Sequence, residues 1–287
     1  MYFSALIGNP TDHSVSDILF EELVNAAGIA ETYKHLKINV KPASLGESIS
    51  ALKLLGFCGA NVTLPYKLDV LKYLDSIDPI IDEVGAVNTI AFGDKIIGGY
   101  NTDWIGFTEP IRKRLGDKRV ESAVIFGTGG AARAAIYAAK QLKADNISVL
   151  FRDEDNENLI DLRDKSNKLE IDLVNYNQIT GVVDVADLII NATSTGMIGH
   201  DPTPFDLNLL IGLDLKNKLF FDAVFNPVLT PLMKYFESQG AETIDGLWMM
   251  IYQALEALSI WLKTDISLSD EDLISIHKKL EEALSNV

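Results

Sequence analysis

Cysteine is nearly absent from this chain of 287 residues, and Cys58 is the only one. An intramolecular disulfide is therefore excluded, and we expect a reducing compartment such as the cytoplasm. Histidine is scarce as well: His13, His35, His200 and His277 are scattered without the spacing of a metal site, so we expect no bound metal. The absence of a Gly-x-Ser-x-Gly elbow argues against a Ser-His-Asp hydrolase.

A long apolar run is missing too. The longest candidate, Leu247–Leu262, falls short of the roughly 18 residues that span a bilayer. Gln253 and Glu256 interrupt it, and its apolar residues recur at helical spacing, so we expect a buried helix and no membrane partner. The start of the chain, Met1 to Ser4, has no basic segment of an export signal, which agrees with a cytoplasmic location.

Basic residues are outnumbered, since 25 Lys and Arg stand against 41 Asp and Glu and the net charge is −16. An acidic chain without a basic stripe is a poor nucleic-acid binder, so we expect no nucleic-acid partner. The charge leaves the substrate open, because a local basic pocket can exist on an acidic protein. The length predicts about two domains.

The first hundred residues alternate strand-like and helix-like segments. The predicted strands are Tyr2–Ile7, Thr32–Asn39 and Cys58–Val62, and the predicted helices are Ser16–Ala27 and Leu45–Leu55. This β-α-β-α-β order is typical of a parallel sheet covered by helices. Gly93-Asp94 predicts a hairpin turn between strands Thr89–Phe92 and Lys95–Gly98.

A second alternating series begins near Trp104, and the last forty residues are helical. The predicted strands of this series are Val120–Phe126, Ile147–Phe151, Asp187–Asn191 and Leu219–Ala223. Helix-like segments between them complete the pattern of a doubly wound, mononucleotide-binding sheet. The fold class predicted for the whole chain is therefore α/β with two domains, the second of them a Rossmann-type domain.

A glycine-rich turn follows the first strand of the second series. It reads Gly127-Thr128-Gly129-Gly130-Ala131 and opens a predicted helix, Ala131–Leu142. A strand, a glycine turn and a helix in that order form a cradle for a pyrophosphate. At the end of the next strand, Arg152 can hold a 2′-phosphate, whereas Asp153 can accept bonds from a free 2′-hydroxyl. A solvated charged loop is an equally good interpretation of the acidic residues.

Four polar segments lie at the ends of apolar runs: Gly8–Ser16, Gly59–Lys67, Gly85–Thr89 and Gly99–Asp103. Because ligands bind at the carboxyl ends of parallel strands, Thr63 and Lys67 are expected to face a crevice. A helix is predicted after Pro65. Each segment also has a plain structural interpretation, since Ser, Asn, Thr and Asp cap helices and form turns, and Asp103 would then be the N-cap of a helix over Trp104–Leu115.

Taken together and in this order, the motifs resemble the shikimate dehydrogenase family across nearly the whole chain. The matching residues are Gly8-Asn9-Pro10 with His13-Ser14-x-Ser16, Asn61-Val62-Thr63-x-Pro65-x-Lys67, Gly85–Thr89, Asn101-Thr102-Asp103, Gly127–Ala134, Asn191-Ala192-Thr193 with Gly196-Met197, Asn226-Pro227 with Thr230-Pro231-Leu232, Asp245-Gly246-Leu247 and Gln253.

The resemblance implies two domains with the active site in the cleft. A substrate-binding and catalytic domain would span residues 1–103, with residues 246–287 returning to it, and a dinucleotide-binding domain would span residues 104–245. The implied reaction is the reversible NADPH-dependent reduction of 3-dehydroshikimate to shikimate, on the way to chorismate and the aromatic amino acids. The family includes monomers and dimers, so both remain open.

The resemblance also implies the site residues. Lys67 would supply a proton and positive charge to the developing alkoxide, and Asp103 would orient its ammonium group. Ser14 and Ser16 would bind the substrate carboxylate. Further substrate contacts would come from Thr63, Asn88 and Gln253, beside Lys67 and Asp103 themselves. The cofactor would contact Gly127, Thr128, Gly129, Gly130, Ala131, Arg152, Asp153, Thr193, Met197, Val224 and Gly246.

Three positions depart from the family pattern. Asp17 replaces the usual proline and puts negative charge near an anionic substrate. Phe225 replaces the usual tyrosine, which removes a hydrogen-bonding partner of one substrate hydroxyl. Arg152 favours NADP(H), while Asp153 weakens that preference and leaves NAD(H) open. The alternatives are an NAD-preferring quinate/shikimate dehydrogenase, an enzyme for an amino-substituted shikimate analogue, and a non-catalytic NAD(P)-binding regulatory homologue.

Overall fold

Two compact units make up the chain in the computed structural model, which describes residues 1–12 and 14–285. The first unit comprises Met1–Gly106 and Met250–Val287, and the second comprises Phe107–Met249. His13, part of the first motif, lies outside the described residues. Both divisions between the units fall inside helices, three or four residues beyond the boundaries predicted from the sequence.

The first part of the chain forms a mixed α/β unit. Its elements are β1 (Tyr2–Gly8), α1 (Ser16–Ala26), β2 (Tyr33–Asn39), α2 (Leu45–Leu54), β3 (Gly59–Val62), β4 (Ser76–Ile77), α3 (Ile81–Val84), β5 (Thr89–Phe92), β6 (Ile97–Tyr100) and α4 (Asp103–Leu115). The sheet has the order β2-β1-β3-β5-β6-β4. Strands β1, β2 and β3 are parallel, whereas β5 is antiparallel to both β3 and β6.

The hairpin predicted around Gly93 is the source of the antiparallel strands. Its second strand begins at Ile97, two residues after the predicted start at Lys95. The reason is a four-residue turn, closed by a hydrogen bond of 2.9 Å from Gly93 N to Ile96 O. Phe92 therefore pairs with Ile97.

The second part of the chain forms a fully parallel sheet with helices between its strands. Its elements are β7 (Ser122–Phe126), α5 (Gly130–Gln141), β8 (Asn146–Phe151), α6 (Glu157–Leu169), β9 (Asp172–Asn175), α7 (Ile179–Val185), β10 (Leu188–Asn191), β11 (Leu219–Asp222), α8 (Pro231–Ser238), β12 (Glu242–Ile244), α9 (Gly246–Leu262) and α10 (Asp270–Ser285). The strand order is β12-β11-β10-β7-β8-β9, and every neighbouring pair is parallel.

The last helices pack on the first unit. Trp261 on α9 donates its indole N–H to the carbonyl of Ile90 at 2.8 Å. It also fills the space beside Gly59, where an added Cβ would lie 2.0 Å from the indole nitrogen. On α10, Lys279 pairs with Glu22 of α1 at 2.5 Å. These contacts join the end of the chain to strands and helices formed by its first hundred residues.

The start of α10 is fixed by a reciprocal cap. Asp272 N donates to Ser269 Oγ at 3.1 Å, and Ser269 N donates to the Asp272 carboxylate at 3.3 Å. Each side chain thereby satisfies a backbone N–H that the first helical turn leaves free. The predicted α/β fold class is confirmed. Within the described ranges, no helix combines the length and apolarity that crossing a bilayer requires.

Candidate active site

The ammonium group of Lys67 and the carboxylate of Asp103 form an ion pair in the first unit. Nζ of Lys67 lies 2.5 Å from Oδ2 of Asp103. The Asp103 side chain is 6% exposed and the Lys67 side chain 21%, so the pair is largely shielded while the lysine keeps an open side. The resemblance implied this contact, and the structure brings the two residues together.

The segment around Lys67 differs from its prediction. A turn over residues 64–68 and a 3₁₀ helix, Asp69–Tyr73, replace the α-helix expected after Pro65. The carbonyl of Lys67 accepts the N–H of Val87 at 2.9 Å, so it bonds another segment instead of a helical turn. This bond holds the backbone of Lys67 beside the segment that carries Asn88.

Asn88 fixes the second oxygen of the Asp103 carboxylate. Its Nδ2 donates to Oδ1 of Asp103 at 2.7 Å, and its own Oδ1 accepts the N–H of Thr102 at 2.7 Å. Both residues are nearly fully buried. Asp103 is the first residue of α4, and its carboxylate is directed at Lys67 and Asn88, so the plain N-cap interpretation does not hold. Asn88 is expected to contact substrate, but its amide nitrogen donates a hydrogen bond to the Asp103 carboxylate.

A buried polar cluster behind this pair was not predicted as part of the site. Asn101 Oδ1 accepts the N–H of Asp103 at 3.0 Å. The hydroxyl oxygens of Thr89 and Thr102 lie within hydrogen-bond distance, 3.2 Å apart, and Asn61 Nδ2 donates to the Thr89 hydroxyl at 3.1 Å. The signal in the sequence was a pair of Asn-Thr dipeptides, Asn88-Thr89 at the start of β5 and Asn101-Thr102 after β6. Because β5 and β6 pair in antiparallel fashion, the two dipeptides lie side by side.

Gln253 lies at the edge of this cluster, and Thr63 lies on the loop after β3. Thr102 Oγ1 lies 3.4 Å from Oε1 of Gln253, whose amide nitrogen donates to Met250 O within its own helix. Thr63 packs against Gly8, where an added Cβ would lie 2.4 Å from the threonine methyl group. Glycine at position 8 therefore lets the loops after β1 and β3 approach each other closely.

The two serines lie in the segment of residues 9–16 that follows β1, here called the serine loop, which ends with the first residue of α1. Ser14 Oγ accepts the N–H of Ser16 at 3.1 Å, and no acceptor takes the Ser14 hydroxyl proton among the described residues. Ser16 is the first residue of α1, and its Oγ is buried without a hydrogen-bond partner among the described residues. An unpaired buried hydroxyl costs free energy unless water or a ligand satisfies it, which makes Ser16 a candidate binding residue.

All of these residues gather at one edge of the first sheet. The strands β1, β2, β3 and β6 end there, and β5 begins there, because β5 runs antiparallel to both its neighbours. The sequence prediction that ligand-binding groups follow parallel strands is consistent with this arrangement.

The glycine turn between β7 and α5 fits a pyrophosphate. Gly127 has a φ of +106°, and an added Cβ would lie 2.9 Å from the methyl group of Thr193. At Gly129, the N-cap of α5, an added Cβ would meet no atom of the described residues within 4 Å, and glycine has no side chain that could cap the helix. Space is therefore free beside Gly129 at the N-terminus of α5, the type of position where backbone N–H groups bind a phosphate.

The loop after β8 carries the two residues that bear on the choice of cofactor. Arg152 is 70% exposed and lies 3.7 Å from the carboxylate of Asp201. Asp153 Oδ1 accepts the N–H of Asp155 at 3.1 Å, which folds the carboxylate back onto its own loop. The arginine is thus held loosely by one exposed carboxylate.

Other predicted cofactor residues lie at the ends of β10, β11 and β12. Thr193 donates to Oδ1 of Asn191 at 2.7 Å. Gly246 packs against backbone, because an added Cβ would lie 2.6 Å from the carbonyl of Val224. Met197 follows Gly196, which has a φ of +93°. The structure gathers these residues at the carboxyl edge of the second sheet, the edge that also carries the glycine turn.

Asp222 is a buried carboxyl group at the end of β11 that the sequence did not single out. It accepts hydrogen bonds from Thr230 Oγ1, Asn191 Nδ2 and Val224 N at 2.7, 2.8 and 3.0 Å. Burial raises its pKa to about 6, although these three donors act in the opposite direction. Its role is to tie together the loops that follow β10 and β11. Among the described residues, no three His, Cys, Asp or Glu side chains come together as a metal site requires.

Known proteins resemble this chain over nearly its full length. The curated shikimate dehydrogenase (NADP(+)) of Aquifex aeolicus is 33% identical over 264 residues, which are 92% of each chain. The family is thereby decided. This chain belongs to the shikimate dehydrogenases. The counterpart from Methanocaldococcus jannaschii is 34% identical over 89% of each chain, and a family model described as the shikimate dehydrogenase substrate binding domain matches residues 6–90.

Solved structures of shikimate dehydrogenases share the fold. The crystal structure of the Aquifex aeolicus enzyme matches with a TM-score of 0.82 and 30% identity, covering 98% of this chain and 97% of that one. A quinate dehydrogenase from Corynebacterium glutamicum in complex with NAD matches with a TM-score of 0.82 and 29% identity, covering 100% and 99%. Structures of this fold therefore include a shikimate dehydrogenase and a quinate dehydrogenase in complex with NAD.

Proposed function

We propose that this chain catalyses the reversible NADPH-dependent reduction of 3-dehydroshikimate to shikimate, a step toward chorismate and the aromatic amino acids. Membership in the family supports the reaction. The observation that carries the proposal for this particular chain is the ion pair between Lys67 and Asp103, held within a buried polar cluster. A chain that had abandoned catalysis would have no need to keep an ammonium group beside a shielded carboxylate.

The pair supplies what reduction of a ketone demands. As hydride adds to the carbon, negative charge develops on the oxygen, which needs a proton and nearby positive charge. Lys67 provides both through its ammonium group. Asp103 limits the positions that Nζ can take, and Asn88 in turn holds Asp103 by its other oxygen. The nicotinamide ring, when bound, supplies the hydride in this direction and accepts it in the reverse direction.

The serine loop supports an anionic substrate. Among the described residues, Ser16 Oγ is buried without a partner and no acceptor takes the Ser14 hydroxyl proton. Two hydroxyls that can donate to a carboxylate suit the acid group of shikimate. We assign Thr63 and Gln253 to its ring hydroxyls or carboxylate. Asn88 acts chiefly through Asp103, because its amide nitrogen already donates to that carboxylate.

The cofactor we propose is NADP(H), bound at the second unit. The N-terminus of α5 would hold the pyrophosphate through backbone N–H groups of Thr128 to Ala131. Arg152 would hold the 2′-phosphate, for which a guanidinium group is well suited. Asp153 stays an acidic neighbour of this arginine, although one of its carboxylate oxygens accepts the N–H of Asp155.

One observation favours a second candidate, an NAD-preferring quinate/shikimate dehydrogenase. The carboxylate of Asp201 lies 3.7 Å from Arg152 and would compete with a 2′-phosphate for the guanidinium group. The structural likeness to a quinate dehydrogenase in complex with NAD points the same way. A non-catalytic regulatory homologue is disfavoured by the intact pair of Lys67 and Asp103.

Steady-state kinetics with two substrates and two cofactors test the proposal. We expect the highest kcat/KM for shikimate with NADP. A higher kcat/KM for quinate with NAD would establish the second candidate instead. Cofactor binding without turnover of either substrate would point to the regulatory homologue. A cytoplasmic location and a monomeric or dimeric state stay predictions from the sequence.

A further inference from the structure

Two residues of β2 brace the serine loop, and neither belongs to the family motifs. Lys37 and Asn39 are two positions apart and therefore lie on the same face of the strand. Lys37 Nζ donates to the carbonyl of Ser14 at 2.8 Å. Asn39 Oδ1 accepts the backbone N–H of Thr11 at 2.6 Å and its hydroxyl at 3.0 Å.

Lys37 has a second partner, the carboxylate of Asp17, at 3.1 Å. Asp17 stands in the first turn of α1, directly after Ser16, where the family pattern has a proline. A carboxylate next to a hydroxyl that binds an anion would repel the anion. The Lys37 side chain is 26% exposed and that of Asp17 44%, so water screens the repulsion only in part.

We propose that Lys37 and Asn39 are positioning residues for the substrate-carboxylate subsite, and that Lys37 also cancels the charge that Asp17 brings there. The inference rests on the proposed function, since it needs an anionic substrate at Ser14 and Ser16. It explains how this chain keeps its subsite with an acidic residue at position 17. Lys37, on β2, holds the loop backbone through the carbonyl of Ser14. Its positive charge neutralises the Asp17 carboxylate, so the pair has no net charge.

The other charged groups near the subsite do not replace Lys37. Asp12 on the same loop is acidic, and its carboxylate accepts the Asn39 amide at 2.8 Å. His35 on β2 is half-buried, and the desolvation of its ring lowers its pKa to about 3, so the ring is neutral at working pH. Among these neighbours, the positive charge therefore comes from Lys37.

The test is steady-state oxidation of shikimate with NADP by Lys37→Met and its companions. We expect Lys37→Met to raise KM for shikimate about 10-fold while kcat and KM for NADP change less than about twofold. Lys37→Arg keeps the charge and the donor, so its KM should stay within about threefold of that of the natural chain. Lys34→Met, an exposed lysine on the same strand, is the matched control and should change nothing.

Asp17→Asn separates charge from positioning. Alone, it should lower KM for shikimate about threefold, because an uncompensated ammonium group then faces the anion. Combined with Lys37→Met, it should recover at least half of the affinity that Lys37→Met removes, on a logarithmic scale. Combined with Asn39→Ala, which removes an uncharged brace and should itself raise KM, it should lower KM by the same factor as it does alone.

The outcomes separate this inference from the proposed function. A natural chain that does not oxidise shikimate contradicts the function itself. An active natural chain with unchanged KM in Lys37→Met overturns the positioning role alone. If Asp17→Asn raises KM, or fails to restore Lys37→Met, the charge compensation is wrong. Asp17→Asn supplies this answer even if Lys37→Met does not fold.

Discussion

The Nζ atom of Lys67 lies 2.5 Å from Oδ2 of Asp103, although 36 positions separate the two residues in the chain. The loop after β3 carries the lysine, and the first turn of α4 carries the carboxylate. Because Asn88 occupies the other carboxylate oxygen at 2.7 Å, Asp103 is held from both sides. The position of the ammonium group is therefore set by a buried network and not by the lysine side chain alone.

Asn88→Ala should impair both stability and turnover. Removing the amide leaves one oxygen of the buried Asp103 carboxylate without its donor, which costs about 1–3 kcal/mol of unfolding free energy. A less constrained carboxylate also holds Lys67 less well, so kcat should fall at least about tenfold. Chemical denaturation and shikimate kinetics measure the two effects. Normal kcat in a folded Asn88→Ala variant would show that Asp103 needs no support from this residue.

Gly129→Ala should leave the fold intact and weaken cofactor binding. An added Cβ meets no atom within 4 Å in the part of the chain that the structure describes, so the cost lies in the space that the pyrophosphate would need. We expect KM for NADP to rise at least about tenfold, with the unfolding midpoint nearly unchanged.

Gly181→Ala is the matched control for this change. Gly181 lies in α7, and its added Cβ likewise meets no atom of the described residues within 4 Å. Alanine there should stabilise the helix by up to about 1 kcal/mol and leave KM for NADP unchanged. Equal effects of the two alanines on KM for NADP would show that the turn does not approach the cofactor.

Arg152→Ala should change the preference between cofactors. Loss of the guanidinium group removes the partner of the 2′-phosphate, so KM for NADP should rise about 10-fold or more while KM for NAD changes less than about threefold. Arg119→Ala, which removes an exposed arginine paired with Asp145, is the control. Equal losses with both cofactors would assign Arg152 to the adenine or to the loop, and not to the phosphate.

Because of Asp222, the free energy of unfolding should fall as pH rises, which is opposite to the usual effect of a carboxyl group in a folded protein. Burial raises its folded-state pKa to about 6 from an ordinary value of 3.8. A raised pKa means that the stability contribution is fully present below about pH 4 and is lost as pH rises through about 6. The shift corresponds to about 3 kcal/mol.

Comparison with Asp222→Asn isolates this group, because the other titrating groups cancel between the two proteins. The unfolding free energy of the variant minus that of the natural chain should rise by about 2–3 kcal/mol between about pH 4 and pH 7. Denaturant titrations across this range measure the difference. A difference that stays constant with pH would mean that Asp222 titrates normally.

Much of the fold follows from local signals in the sequence. The alternation of strand-like and helix-like segments, with glycines at their ends, predicts the long helices and strands. Helix α1, for example, ends at Ala26, two residues before Gly28, which has a φ of +72°. The short strands β4 and β12 carry too few residues for a period to appear, and β9 has only two apolar residues between Asp172 and Asn175. The strand after Gly93 is displaced from its prediction because the turn has four residues and not two.

Local signals predict the site less well than the fold, because its contacts join residues that are far apart in the sequence. Lys67 and Asp103 could be paired only through the resemblance to the family. No motif pointed to Lys37, because its contact with Ser14 depends on the parallel register that sets Lys37 beside Leu6. Likewise, the importance of Thr89 and Thr102 depends on how β5 and β6 pair.

Shikimate oxidation by the natural chain and by Lys67→Met, followed through reduced nicotinamide with NADP as cofactor, tests the central claim most directly. Methionine keeps the length of the side chain and removes its proton and charge. We predict that the natural chain turns over and that kcat of the variant falls about 1,000-fold, with NADPH binding retained. Lys72→Met, at a 62% exposed lysine, should behave as the natural chain does. A Lys67→Met variant with near-normal kcat would contradict the account.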